Sequence, residues 1–149
     1  MTVIYVDADA CPVKDEAIRV AVRHRITVFV VSNGGIRPSA ELLVETVIVG
    51  DGPDAADDWI AERCGVGDIV ITSDIPLAAR AVSAGAQVIR PNGNPITEAS
   101  VGQILATRDL MTQLREAGTI TGGPEPFVKR DRSRFLDTLE TTIRAALKE

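Results

Sequence analysis

Histidine and cysteine are scarce in this sequence. The single histidine, His24, falls at the end of a helical segment, where stabilisation by the helix dipole is its simplest role. With one imidazole and no Ser-His or Cys-His arrangement, the usual nucleophilic hydrolase schemes are excluded. The two cysteines, Cys11 and Cys64, lie far apart and form no CxxC pair, so neither a disulfide framework nor a zinc finger is expected. Cys11 opens a helix, which lowers a thiol pKa, but adjacent carboxylates raise it again; Cys64 reads as a small buried apolar residue. Aromatic residues make up 3% of the chain, too few for a stacking platform on single-stranded nucleic acid. No apolar run reaches the length of a membrane span and no basic leader opens the chain, so a cytoplasmic protein is expected.

What is present is ordinary globular material: 149 residues, 45% hydrophobic and 25% charged, enough for one domain over residues 1–149. Short apolar runs alternate with helical periodicity. Strands are expected at Val3–Val6, Ile26–Val31, Thr46–Val49 and Ile69–Thr72, with a weak fifth at Gln87–Ile89 stopped by Pro91. Helices are expected at Pro12–His24, Asp54–Cys64 and Ile75–Ala84. A long helix from Thr97 to about Glu116, a break at Gly118–Pro126 and a last helix from about Asp131 to Leu147 complete the pattern. Fully apolar strands joined by helices argue for an α/β fold: three α/β/α layers around a mostly parallel sheet of about five strands, with a helical C-terminal extension from about residue 97.

The formal charge of −5 argues against a protein that wraps DNA electrostatically, but the charge is unevenly spread. Residues 1–107 hold 14 Asp/Glu against 8 Lys/Arg, net −6, whereas residues 108–149 hold 7 against 8, net +1. The acids recur at the carboxyl ends of expected strands, the edge where open α/β sheets bind ligands. Asp7 and Asp9 end the first strand, Asp74 ends the fourth, and Asp51, Asp54, Asp57 and Asp58 follow the third. Asp7 and Asp9, two apart in extended chain, point the same way. Asp54, Asp57 and Asp58, at i, i+3 and i+4, share one helical face.

Clustered carboxylates repel by about 4 kcal/mol per pair at 4 Å and an effective dielectric of 20, so such a cluster calls for a divalent cation or for protonation. Oxygen-only ligands select Mg2+ or Mn2+ over Zn2+, and such an ion activates water and clamps a phosphodiester. Each acid also has a plain structural role open to it. Asp57 and its neighbours favour the helix dipole, Asp74 suits an N-cap ahead of Pro76, and Asp9 suits a cap before Cys11-Pro12. Asp7, ending a central strand, is the hardest to explain structurally. Asn33 with its following glycines forms a turn or an anion nest, and Lys129–Arg134 is the one concentration of positive charge, a phosphate patch or a solvated helix start.

The stretches VDADACPVKDEA, SNGG, GPDAADDWI, DIVITSDIPLAARAVSAGA, LMTQLREAG, TGGPEPF and DRSRFLDTL resemble the YaiI/YqxD-like family of uncharacterised bacterial proteins over nearly the whole chain. That family is grouped with PIN-like domains, compact α/β/α metal-dependent nucleases. The resemblance implies that Asp7 is the opening metal-binding aspartate and Asp74 the third acid, with Asp54 or Asp58 in the middle position. The fourth acid has no counterpart, since RPNGNP carries Asn92 and Asn94 there; Asp9 adds a carboxylate beside Asp7. The expected function is a Mg2+- or Mn2+-dependent nuclease acting on RNA or another nucleic acid. Asp7, Asp9, Asp74 and Asp58 would hold the metal, Asp54 or Asp58 would orient the water, and Asn33, Ser73, Lys129 and Arg130 would contact the substrate. Two rival readings stand beside it. One is a haloacid-dehalogenase-like phosphatase with Asp7 as nucleophile and Asp9 as acid/base; the other is a non-catalytic PIN-like module that binds RNA or protein.

Overall fold

The computed structural model describes residues 2–8, 11–34, 38–50, 52, 54–103 and 128–147. Five strands run parallel: β1 (Val3–Asp7), β2 (Thr27–Ser32), β3 (Val44–Ile48), β4 (Ile69–Ile71) and β5 (Gln87–Ile89). A sixth, β6 (Pro95–Ile96), pairs antiparallel with β5 and adds a strand to the five expected. It is too short to leave an alternation in the sequence. The helices are α1 (Lys14–Arg23), α2 (Ala55–Arg63), α3 (Ile75–Ser83) and α4 (Lys129–Leu147). Residues 98–103 are helical as well; the rest of the long helix expected to residue 116, and the break at 118–126, lie outside the described residues. No described helix is long and apolar enough to cross a membrane.

The strand order is β3-β2-β1-β4-β5-β6. The chain first winds outward from β1 through β2 to β3, then returns to the other side of β1 as β4 and continues to β5. Strand order therefore reverses between β1 and β4. In a doubly wound sheet this reversal opens a crevice at the carboxyl edge.

Alternation along the strands builds two cores. Ile4, Val6, Val28, Val30, Ile69, Ile71 and Ile89 face Val13, Ala17, Val20 and Ala21 of the α1 region and Phe135, Leu139 and Ile143 of α4. Tyr5, Val31, Val70 and Val88 face Ala56 and Ile60 of α2 and Leu77, Ala78 and Ala81 of α3. The period of two in the strands thus sorts the helices into a layer of α1 and α4 and a layer of α2 and α3.

Helix α4 runs parallel to α1. Arg132 pairs with Glu16 at 3.4 Å near the start of both helices, and Glu140 accepts from the His24 ring at 2.7 Å near their ends. Arg23 and Arg144 also pair with Glu140, which holds its carboxyl down at about 2. At the far side of the layer, the turn after β5 meets α4: the Thr138 hydroxyl donates to the Gly93 carbonyl at 2.8 Å. The N-terminal half of α4 therefore lies at the carboxyl edge of the sheet, the edge that carries the acids.

Candidate functional site

Asp7 is the last residue of β1, and Asp74 stands three residues beyond β4, so both flank the β1/β4 reversal. Asp7 follows Val3 and Tyr5 at a spacing of two, which turns it toward the α2/α3 layer. It is nearly buried, at 9% exposure, and accepts a hydrogen bond from the Thr72 hydroxyl at 2.8 Å. The same hydroxyl accepts from the Asp74 backbone N–H at 2.9 Å. Thr72 thereby ties the end of β1 to the loop leaving β4.

Asp74 caps α3. One of its carboxylate oxygens accepts from the Leu77 N–H at 2.9 Å, and Pro76 occupies the first turn. Capping engages one oxygen. The Asp57 carboxyl donates a hydrogen bond to the Asp74 carboxylate, and the charges of Asp74, Asp7 and Asp54 all act on it. Desolvation is the largest cause of its shift, followed by the charge of Asp74; together they push Asp57 up from 3.8 to about 7. Asp57 thus sits between the charges of Asp74 and Asp7, which disfavour its ionised form.

The structure divides the three acids that sequence spacing placed on one helical face. Asp54 is the exposed N-cap residue of α2 and makes no side-chain cap. Asp58, expected to hold metal, instead pairs with Arg80 of α3 at 2.7 Å, both side chains about half exposed. Asp57, which the dipole argument explained away, is the one that turns toward Asp7 and Asp74. The sequence did hold the signal: the inward face of α2 is marked by Ala56 and Ile60. At about 100° per residue, Asp57 lies about 100° from Ala56, whereas Asp58 lies about 200° away, on the solvent side. Thr72 was passed over because it reads as the last residue of an apolar strand; its burial, at 1% exposure, is what demands a partner for its hydroxyl.

Among the remaining candidates, Asn33 follows β2 at the same edge and its amide donates to the Gly52 carbonyl at 3.5 Å. Ser73 is exposed in the loop between Thr72 and Asp74. Lys129 and Arg130 are exposed at the start of α4, at the same sheet edge but in the opposite helical layer from Asp57. Asn92 accepts from the Asn94 backbone N–H at 3.0 Å, which closes the turn between β5 and β6. Asp9 lies outside the described residues.

Among the described residues, no group of three or more His, Cys, Asp or Glu side chains is gathered tightly enough to hold a metal ion. The donor chemistry at the edge is nonetheless that of a hard cation. It consists of carboxylate and hydroxyl oxygens, and the neighbouring Cys11 thiol is pushed up to about 11, chiefly by burial, so it stays protonated. His24 lies at the opposite end of α1.

A family model described as "Uncharacterized BCR, YaiI/YqxD family" matches residues 5–145. The chain is 64% identical to a UPF0178 protein of Ruegeria pomeroyi, covering 100% of this chain and 98% of that one. It is 61% identical to a UPF0178 protein of Roseobacter denitrificans (98% and 97% covered) and 61% identical to one of Parvibaculum lavamentivorans (97% and 95%). No solved structure matches. With a match that spans nearly every element of the fold and relatives of equal length, the chain belongs to the YaiI/YqxD family.

Proposed function

We propose that the β1/β4 edge is a Mg2+- or Mn2+-dependent phosphodiesterase site in a PIN-like domain, with RNA as substrate. One feature carries the reading: the Asp57 carboxyl is hydrogen-bonded to Asp74 beside the charge of Asp7, at the reversal of strand order where such sheets bind ligands. Like charges held together in this way are costly in the free protein and are relieved by a divalent cation. Asp7, Asp57 and Asp74 would have to draw closer together to hold it, since as they stand no three acids among the described residues form a ligand group. A bound ion would acidify a water and neutralise charge on a phosphodiester.

The chain's own groups supply the rest. Thr72 fixes Asp7 and the Asp74 backbone in one frame, and the α3 cap fixes the Asp74 carboxylate. Asp57 loses its proton near neutral pH, and its carboxylate would then be open to ligate a cation or to accept a proton from water. Lys129 and Arg130 approach the edge from the α4 layer, where phosphates flanking a scissile bond would meet positive charge. Asn33 and Ser73 offer hydrogen bonds at the same edge. The near-burial of Asp7 and its bond from Thr72 weigh against its use as a phosphatase nucleophile.

The experiment is a cleavage assay on RNA and on a phosphate monoester, with Mn2+ or Mg2+ and with chelator. Metal-dependent cutting of the diester is expected, falling roughly 10–100-fold or more in Asp57→Asn and Asp74→Asn. Mn2+ at 100 times its dissociation constant should stabilise the wild type by about 2.7 kcal/mol. Hydrolysis of the monoester alone would establish the phosphatase reading instead. RNA binding with no product, undiminished in Asp74→Asn, would leave a non-catalytic module.

A further inference from the structure

Resting on the reading of the β1/β4 edge as a phosphodiesterase site, we propose that Arg90 is the residue that grips the non-bridging oxygens of the phosphodiester. Arg90 directly follows β5. The β1–β4 ladder pairs Val6 with Ile71, and the β4–β5 ladder pairs Ile71 with Ile89. One residue further along, Asp7, Thr72 and Arg90 stand level on one rung, with neighbouring strands about 4.8 Å apart. The Thr72 N–H donates to the Ile89 carbonyl at 3.2 Å and its hydroxyl donates to Asp7 at 2.8 Å, so the rung persists beyond the ends of β4 and β5. Arg90 lies two residues past Val88, which faces the α2/α3 layer. Its N–H still donates to the Asn94 carbonyl at 2.9 Å, continuing the β5–β6 ladder. Arg90 therefore shares the face of Asp7 and Thr72.

The surroundings of this arginine call for an anion. Every other described arginine is exposed, and Arg90 alone is half-buried. Its side chain makes no ion pair and no hydrogen bond with any described residue. A guanidinium cannot shed its charge, so one drawn back from water with no anion beside it is an uncommon arrangement. The acids of the edge are engaged elsewhere: Asp7 with the Thr72 hydroxyl, Asp74 with the α3 cap and Asp58 with Arg80. The base of the side chain is fixed from two directions. The Gly93 N–H donates to the Arg90 carbonyl at 2.8 Å, and the Gly93 carbonyl is held in turn by Thr138 of α4 at 2.8 Å.

The chemistry of the fork selects the ligand. Its planar set of N–H donors matches two oxygens of one phosphate. At its end of the rung Arg90 takes the phosphate from the side away from the acids. Negative charge that builds on the phosphoryl oxygens as the diester is attacked then meets a cation already in place. Lys129 and Arg130 are exposed and belong to the opposite helical layer, which suits them to flanking phosphates. Arg90 stands in the layer of Asp57 and Asp74.

Wild type, Arg90→Ala and Arg90→Lys compared in three measurements test this. The melting temperature in chelator, and its response to Mn2+, should be the same in all three, because the side chain has no partner in the free protein to lose. Cleavage of an RNA diester in Mn2+ should fall about 100-fold or more in kcat/KM in Arg90→Ala. Arg90→Lys, which keeps the charge without the fork, should recover part of that loss. In chelator, anisotropy of a labelled oligoribonucleotide should show binding weakened about tenfold or more in Arg90→Ala, with the slope of log Kd on log salt reduced by about 0.7. A wild type that binds this RNA without cutting it overturns the phosphodiesterase reading, while the binding comparison still decides the role of Arg90. An Arg90→Ala protein that binds and cuts as wild type does, or a wild type that binds no RNA, overturns the proposal. So does an Arg90→Ala protein that loses stability or the Mn2+ response, since the residue would then serve the fold.

Discussion

Ionising Asp57 in the folded chain sets a new negative charge against Asp74 and Asp7 in partly desolvated surroundings. In the unfolded chain the same proton leaves at about 3.8, against about 7 in the fold. Between these values the folded state holds more protons, so stability falls as pH rises through the window and the full penalty applies above 7. Asp57→Asn removes that penalty. Its melting temperature is expected to exceed that of wild type at pH 8, by about 2–4 °C for each kcal/mol of repulsion relieved, and to converge with it near pH 4. Differential scanning calorimetry in chelator reads this directly, and Mn2+ should reverse the ranking at pH 8. At this scale Asp7 and Asp74 were legible as candidates, because Asp7 ends an apolar strand and Asp74 follows one closely. Asp57 was not, because the first turn of any helix welcomes an acid and the dipole alone accounted for it. Separating it from Asp58 required the direction of the helix's apolar face.

Between elements, one close approach fixes how α4 is seated. Gly93 has φ of +91°, and a Cβ there would lie 2.6 Å from the Arg134 backbone carbon and 2.7 Å from the Phe135 nitrogen. Gly93→Ala is therefore strained twice, in its own backbone and against α4. It is expected to cost more than about 1 kcal/mol and to disturb α4 first, which amide exchange along residues 129–139 would report. Sequence periodicity found α4 within two residues of its true start, and it found α1, α2 and α3 within two residues at each end. It placed β3 at 46–49 instead of 44–48, since TVIV is the more apolar window while Val44 and Glu45 read as loop. Hydrogen bonding to β2, invisible in a single sequence, sets that boundary. The pairing of Arg132 with Glu16 was equally hidden, because α1 and α4 lie more than a hundred residues apart in the chain.

Across the whole molecule, the α/β class and the mostly parallel sheet followed from apolar strands alternating with helices, while the strand order did not. Both cores are needed to cover the sheet, and the α1/α4 core depends on side chains from opposite ends of the chain. Phe135, Leu139 and Ile143 are each fully buried in the core they share with α1 and strands β1, β2, β4 and β5. Phe135→Ala is expected to lower stability by about 3–5 kcal/mol in denaturant unfolding, with the acidic edge left intact. An Asp57 response to pH retained in that variant would confirm that the two layers act separately.

The seating of α4 also bears on how the chain folds as it is made. The six described strands and helices α1, α2 and α3 all precede α4 in synthesis. Until residues 129–147 leave the ribosome, Ile69, Ile71 and Ile89 lack Phe135, Leu139 and Ile143 of α4, and among the described helices only α1 lies on their side of the sheet. A nascent chain thus passes through a stage with an assembled but half-clad sheet, the kind of intermediate that chaperones engage and that aggregates when translation stalls. The final helix does more than complete a layer: its arrival determines when the protein becomes safe from its own hydrophobic surface.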